Sequence, residues 1–306
     1  VVYETGLESP SSFPICLKVM DPHAAAARRE VAIAKHLIDL RKTGGFKSKR
    51  FVRYLEAHID ETAAVVLVES ANFGATLAQY WGIRRLWQRP RPTTLPLEHI
   101  LPAFIEIIRG AVDLEAAGIL HGGLSPGGIL YSGRDLLISD FGHACRPAEA
   151  HEDCCCGGAS ASVDWGLGDP LWQPPEVTDG TPTGPKNHVW SVAMIFLHVW
   201  GDETPMNVAF ESMWRRHAGQ NRTAAAWREA REEAFANFDL TKVAKFESLP
   251  LELRELLARM LDSDPDARCT AEEALAAAVS IAESQSAFQL DAIGESFGPW
   301  PQLGYA

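Results

Sequence analysis

The chain has 306 residues, 46% apolar and 22% charged, the balance of an ordinary soluble globular protein with room for more than one lobe. A net charge of −12, with no dense Lys/Arg block, argues against nucleic acid as a partner, because that needs a basic face. The most apolar run, Val189 to Trp200, contains Ser191 and His198 and is too short to cross a bilayer, so no membrane span is expected.

Val1–Thr5 and Phe13–Met20 read as strands around a Ser-Pro-Ser-Ser turn. Asp21-Pro22 opens a helix on which Val31, Ile33, Leu37 and Ile38 recur at helical spacing. Phe51–Ile59 and Ala63–Glu69 read as an antiparallel pair turning at Asp60-Glu61-Thr62. The chain then becomes mostly helical. His99 to Gly118 carries an apolar helix face, and Ile129–Tyr131 and Leu136–Ser139 are short strands. Residues 143–188 are rich in Gly, Pro, Cys and Asp and read as a long loop. Helices follow at Val189–Trp200, Thr223–Phe238, Leu251–Leu261 and Ala271–Glu283, the last capped by Thr270 with Glu273 in its first turn. The expected class is α+β: a small strand-rich lobe over residues 1–69 and a larger helical lobe over 70–306 that includes the C-terminal tail.

The order of short motifs resembles that of protein kinases. Ile15-Cys16-Leu17-Lys18 is similar to the Val-Ala-Ile-Lys strand, and Glu30 lies on the next helix, where that family places the partner of its Lys. Glu69 to Gly74 resembles the hinge between lobes. The run from His121 to Leu130 aligns with the His-Arg-Asp catalytic loop, and Asp140-Phe141-Gly142 follows intact. Pro174-Pro175-Glu176 stands for Ala-Pro-Glu, and His188-Val189-Trp190-Ser191 for Asp-Val-Trp-Ser. Asp264-Pro265 with Arg268 matches the late helical motif. The resemblance implies a bilobal kinase-like fold and a buried Glu176–Arg268 ion pair.

It also shows what is missing. Kinase catalysis needs a proton acceptor, a Lys that neutralises the transferred phosphate, and metal ligands. Those three places hold Gly123, Ser125 and Gly128, and glycine offers no side-chain oxygen. Residues 1–17 contain a single glycine, Gly6, so the phosphate-covering Gly-rich loop is either upstream of Val1 or lost. The resemblance therefore implies a pseudokinase that binds protein partners, with no catalytic residue. What remains is a vestigial nucleotide site of Lys18, Glu30, Glu69 and Asp140. ATP, with or without magnesium, is expected to bind weakly or not at all, and Asp140 is the one candidate metal ligand. Lys18 and Glu30 fit a purely structural ion pair as well, and Asp140 a structural turn. The alternative is a divergent ATP-dependent transferase or a nucleotide-sensing switch built on Lys18, Glu30 and Asp140.

Within the superfamily the chain resembles the secreted rhoptry-kinase-like proteins of apicomplexan parasites, and among them the with-no-Gly-loop group that includes a bradyzoite pseudokinase. That likeness implies a parasitophorous-vacuole or cyst-wall location and bridged cysteines. The pairing among Cys145, Cys154, Cys155 and Cys156 stays open, and the spacing of His151, Glu152, Asp153 and the cysteines fits no zinc pattern. Asn221-Arg222-Thr223 is a sequon of a kind common by chance.

Overall fold

The structure is a computed structural model. It describes residues 2–8, 14–69, 75–80, 96–131, 135–147, 170–177, 184–201, 204, 206 and 224–284. The Cys154–Cys156 loop, the Asn221 sequon and the C-terminal tail lie outside these residues.

Four strands come first in space: β1 (Val2–Glu8), β2 (Pro14–Met20), β3 (Arg53–Ile59) and β4 (Ala64–Glu69). All neighbours are antiparallel, in the order β1-β2-β4-β3. Register is set by direct pairs such as Lys18 with Val66 and His58 with Val65. The β3–β4 turn works as the sequence predicts: Asp60 Oδ1 accepts the backbone N–H groups of Thr62 and Ala63 and the Thr62 hydroxyl.

Helix α1 (Ala25–Lys42) starts three residues later than Pro22 predicts. Asp21 instead forms a turn of its own, in which its side chain accepts the His23 N–H and its carbonyl the Ala24 N–H. The buried face of α1, including Val31, Ala34 and Leu37, packs on β3 and β4.

The second lobe is built on α2 (Leu97–Ala116) and α3 (Lys186–Gly201). Helix α2 ends at Gly118 (φ +66), where Ile119 N–H bonds Leu114 O and Gly118 N–H bonds Glu115 O, a left-handed cap that favours glycine. Helix α3 is apolar on every side because it is buried all round. Helices α4 (Ala224–Ala236), α5 (Leu251–Met260) and α6 (Ala271–Ser284) complete the lobe, with α6 packed on α2 and α5. Thr270 and Glu273 exchange side chain-to-backbone bonds in a reciprocal cap at the start of α6. A small sheet of β5 (Ala75–Thr76), β6 (Ile129–Tyr131) and β7 (Leu136–Ile138) lies beside the segment that carries the sequence motifs. The described residues thus form a strand-rich first lobe and a helical second one, as expected. Among them, no helix is long and apolar enough to cross a membrane.

Candidate functional site

Lys18 on β2 and Glu30 on α1 meet: Nζ lies 2.6 Å from Glu30 Oε2. The same Nζ is 3.5 Å from Asp140 Oδ1, so one ammonium is shared by two carboxylates. Glu30 is 96% covered at its side chain, and its other oxygen accepts the Tyr54 hydroxyl at 3.3 Å. Burial pushes the Glu30 carboxyl above its ordinary range, against the pull of Lys18. Burial and the neighbouring Glu30 likewise push the Tyr54 phenol well up.

Asp140 has a side chain 61% exposed and a left-handed backbone (φ 63, ψ 61), which is uncommon outside glycine but tolerated by Asp. The turn that follows buries Phe141 completely. Its ring sits 5.0 Å from His121 and 6.1 Å from both Phe51 and Tyr54. Arg29 of α1 donates to Gly142 O at 2.8 Å. Helix α1 is thereby tied to this turn as well as to Lys18. Glu69 closes β4, paired through its backbone with Ile15 and Arg53, while its side chain lies outside the described residues.

The His121 loop is held almost entirely by histidine and backbone. Buried His121 donates from Nε2 to Ser139 O at 3.0 Å, and its Nδ1 receives the Gly123 N–H at 3.4 Å. The His121 N–H is accepted by Nε2 of His188 on α3 at 3.0 Å. That acceptor role requires a neutral His188 with its proton on Nδ1. Desolvation lowers His188 to about 3 and His121 to about 4, so both are neutral at ordinary pH. Gly122 takes a positive φ of 68°, and its carbonyl accepts Gln173 Nε2 at 3.1 Å.

The two glycines in the places of missing functional groups are closely surrounded. A β-carbon at Gly123 would stand 2.9 Å from Cδ2 of His143 and 3.2 Å from its Cβ. A β-carbon at Gly128 would stand 3.3 Å from Ser139 O. Gly128 is also pinned through its backbone, its carbonyl accepting the Ser139 N–H at 2.8 Å and the Ser139 hydroxyl at 3.0 Å. Among the described residues, no group of three His, Cys, Asp or Glu is arranged to hold a metal ion. Gly128, in the place of the second metal ligand, offers no side-chain oxygen, and Asp140 is the exposed carboxylate beside Lys18.

Glu176 and Arg268 form the ion pair that the motifs imply, a two-pronged contact at 2.6 and 2.9 Å with the guanidinium fully buried. The structure brings Glu30 and Asp140, which the motif spacing singles out along with Lys18, within ion-pair distance of Lys18 Nζ. Motif spacing does not reveal His143, Tyr54 or Arg29, although His143 directly follows Asp140-Phe141-Gly142 and Arg29 directly precedes Glu30. His188 was visible as a departure from Asp, but not as an acceptor.

Residues 5–279 match the protein kinase domain family. Among curated proteins, the chain is similar to the serine/threonine-protein kinase PLK4 of Nematostella vectensis, 25% identical over 186 residues. That stretch is 60% of this chain and 16% of that protein's length.

Proposed function

The chain belongs to the protein kinase domain family, and from that premise we propose that it is a pseudokinase, a kinase-like fold that serves as a binding platform for protein partners. One observation carries the reading. Position 123, where a kinase keeps its proton acceptor, is a glycine whose side-chain space is taken by the His143 ring. General-base help is worth about 10²–10⁴ in rate. Ser125 cannot neutralise the transferred phosphate, and Gly128 cannot ligate a metal. The test is a phosphorylation assay with ATP, magnesium or manganese, and general protein substrates. No incorporation above a Lys18→Ala control is expected, and robust transfer that Lys18→Ala abolishes overturns the reading.

The assembled Lys18, Glu30 and Asp140 favour a second reading, in which nucleotide is bound and either sensed or used in a divergent transfer. Two carboxylates already compensate Lys18, so a polyphosphate gains little from it without a cation on Asp140. Binding on this reading is weak and metal-dependent. A ligand at 100 times its Kd stabilises by about 2.7 kcal/mol. The absence of a thermal shift at millimolar ATP with either metal removes this reading.

The lobe boundary after residue 69, with Glu69 in the hinge, belongs to the same proposal. So does the finer placement in the secreted rhoptry-kinase-like branch, supported by Gly123 in the place of the catalytic Asp and the consecutive Cys154, Cys155 and Cys156. Non-reducing peptide mapping of the natively produced protein tests it. Bridged cysteines support passage through an oxidising compartment, and a fully alkylatable set counts against it.

A further inference from the structure

The net charge of −12 is unevenly spread. Residues 21–53 hold nine Lys/Arg against three Asp/Glu, a local net of +6 that leaves −18 on the rest of the chain. Six of those cations fall within 41–53, where no Asp or Glu occurs. The expectation that the chain has no basic block is therefore wrong for this segment. The whole-chain average hides it.

The fold sorts these cations by use. Arg50 is committed inward, with Nε 2.9 Å from Glu106 and Nη1 3.1 Å from Asp113, both on α2. The Ser48 hydroxyl donates to the same Asp113 carboxylate at 2.6 Å. Backbone bonds from Ile138 N–H to Arg50 O and from Val52 N–H to Ile138 O fasten the end of the loop to β7, and Phe46 stacks on Phe51 at 5.5 Å. The loop is held in place from within. Lys47 and Lys49 flank the inward Ser48, are exposed, and have no hydrogen bond or ion pair among the described residues. Lys42, also exposed, reaches only Asp39, at 4.0 Å.

We propose that this loop is a docking surface for an acidic segment of a partner protein, with Lys47 and Lys49 as its principal contacts. The loop backbone that carries the two ammonium groups is fastened, so little backbone ordering is left to do on binding. Their field favours an anionic partner at long range. The acidic remainder of the chain decides which anion fits. A short acidic peptide matches the extent of this patch, whereas the net −18 on the rest of the chain disfavours a polyanion long enough to reach beyond it. The surface uses no residue of the Lys18 cleft, so it can fail while the pseudokinase reading stands, and the reverse.

The test is fluorescence anisotropy of the full chain with a labelled peptide of Asp and Glu, at low and at high salt. Saturable binding that weakens in high salt is expected. Lys47→Glu with Lys49→Glu should weaken it at least about tenfold, with an unchanged melting temperature, while Lys242→Glu on the other lobe should not. The proposal is overturned if no peptide binds or if the double reversal leaves affinity unchanged. It is equally overturned if a single-stranded oligonucleotide or an anionic vesicle binds as tightly as the peptide.

Discussion

The imidazole of His143 fills the space that a side chain at Gly123 would enter, with Cδ2 2.9 Å from the position of a β-carbon there. The glycine at 123 is therefore coupled to packing by a residue from the turn after Phe141. Gly123→Ala should cost about 1–3 kcal/mol through overpacking. His143→Ala should relieve most of that cost. Urea unfolding of both single variants and the double gives the coupling directly. Additivity within about 0.5 kcal/mol would mean the two positions do not compete for space.

Lys18 is the compensating cation beside the buried Glu30 charge. Lys18→Met should destabilise by roughly 2–4 kcal/mol, somewhat under the usual cost of orphaning a buried charge because Lys18 keeps partial solvent contact. Asp140, 3.5 Å from Nζ, would then add to the burden on Glu30. Adding Glu30→Gln to Lys18→Met should recover part of the loss, since the uncompensated charge is gone. If the double variant unfolds at lower urea than the single, Glu30 was not carrying that burden.

Arg268 connects four things at once. It pairs with Glu176, donates to the carbonyls of Asp262 and Lys186, and lies 5.1 Å over the Trp190 ring. Arg268→Leu removes the buried cation that holds Glu176 by two prongs, at an expected cost of about 3–5 kcal/mol. Arg268→Lys should recover little, because an ammonium lacks the planar fork that makes the two-pronged contact. Near-complete thermal recovery by Lys would show that charge alone matters there.

How far the sequence carried these results depends on how each contact is encoded. The Glu176–Arg268 pair and the Lys18–Glu30–Asp140 cluster sit inside spaced motifs, so composition and order were enough to propose them. Strand and helix positions follow the apolar periodicity closely. The start of α1 was misplaced because Asp21 uses its carboxylate in a local turn, which competes with helix initiation at Pro22. Arg29 depends on a contact between α1 and the Phe141 turn across 113 residues, as its bond to Gly142 O shows, and His143 depends on the packing of that turn against Gly123. No local pattern signals such a meeting. The basic loop was missed for a different reason: net charge is a sum, and the opposing excess elsewhere concealed it.

His121 and His188 give the fold a defined acid sensitivity. Each is neutral and buried in the folded state, at about 4 and about 3, and returns to 6.5 when unfolded. Above pH 6.5 both states are neutral, and neither imidazole affects stability. Below it the unfolded chain takes up protons that the folded chain refuses. Stability then falls as pH falls, by about 1.4 kcal/mol per pH unit for each imidazole, until the folded values are reached. His121 is faced by Asp140, which favours its protonation, and by His143, which opposes it; His188 is faced by His121. Glu30 works the other way: burial raises its folded pKa, so the folded chain takes up that proton before the unfolded chain does, which offsets part of the loss as pH falls. His188→Asn keeps an acceptor for the His121 N–H but cannot titrate. Urea unfolding across pH 7.5 to 4.5 should show wild type losing stability along this slope, and His188→Asn losing it roughly half as steeply. Equal slopes for the two proteins would exclude His188 as a source of the acid response.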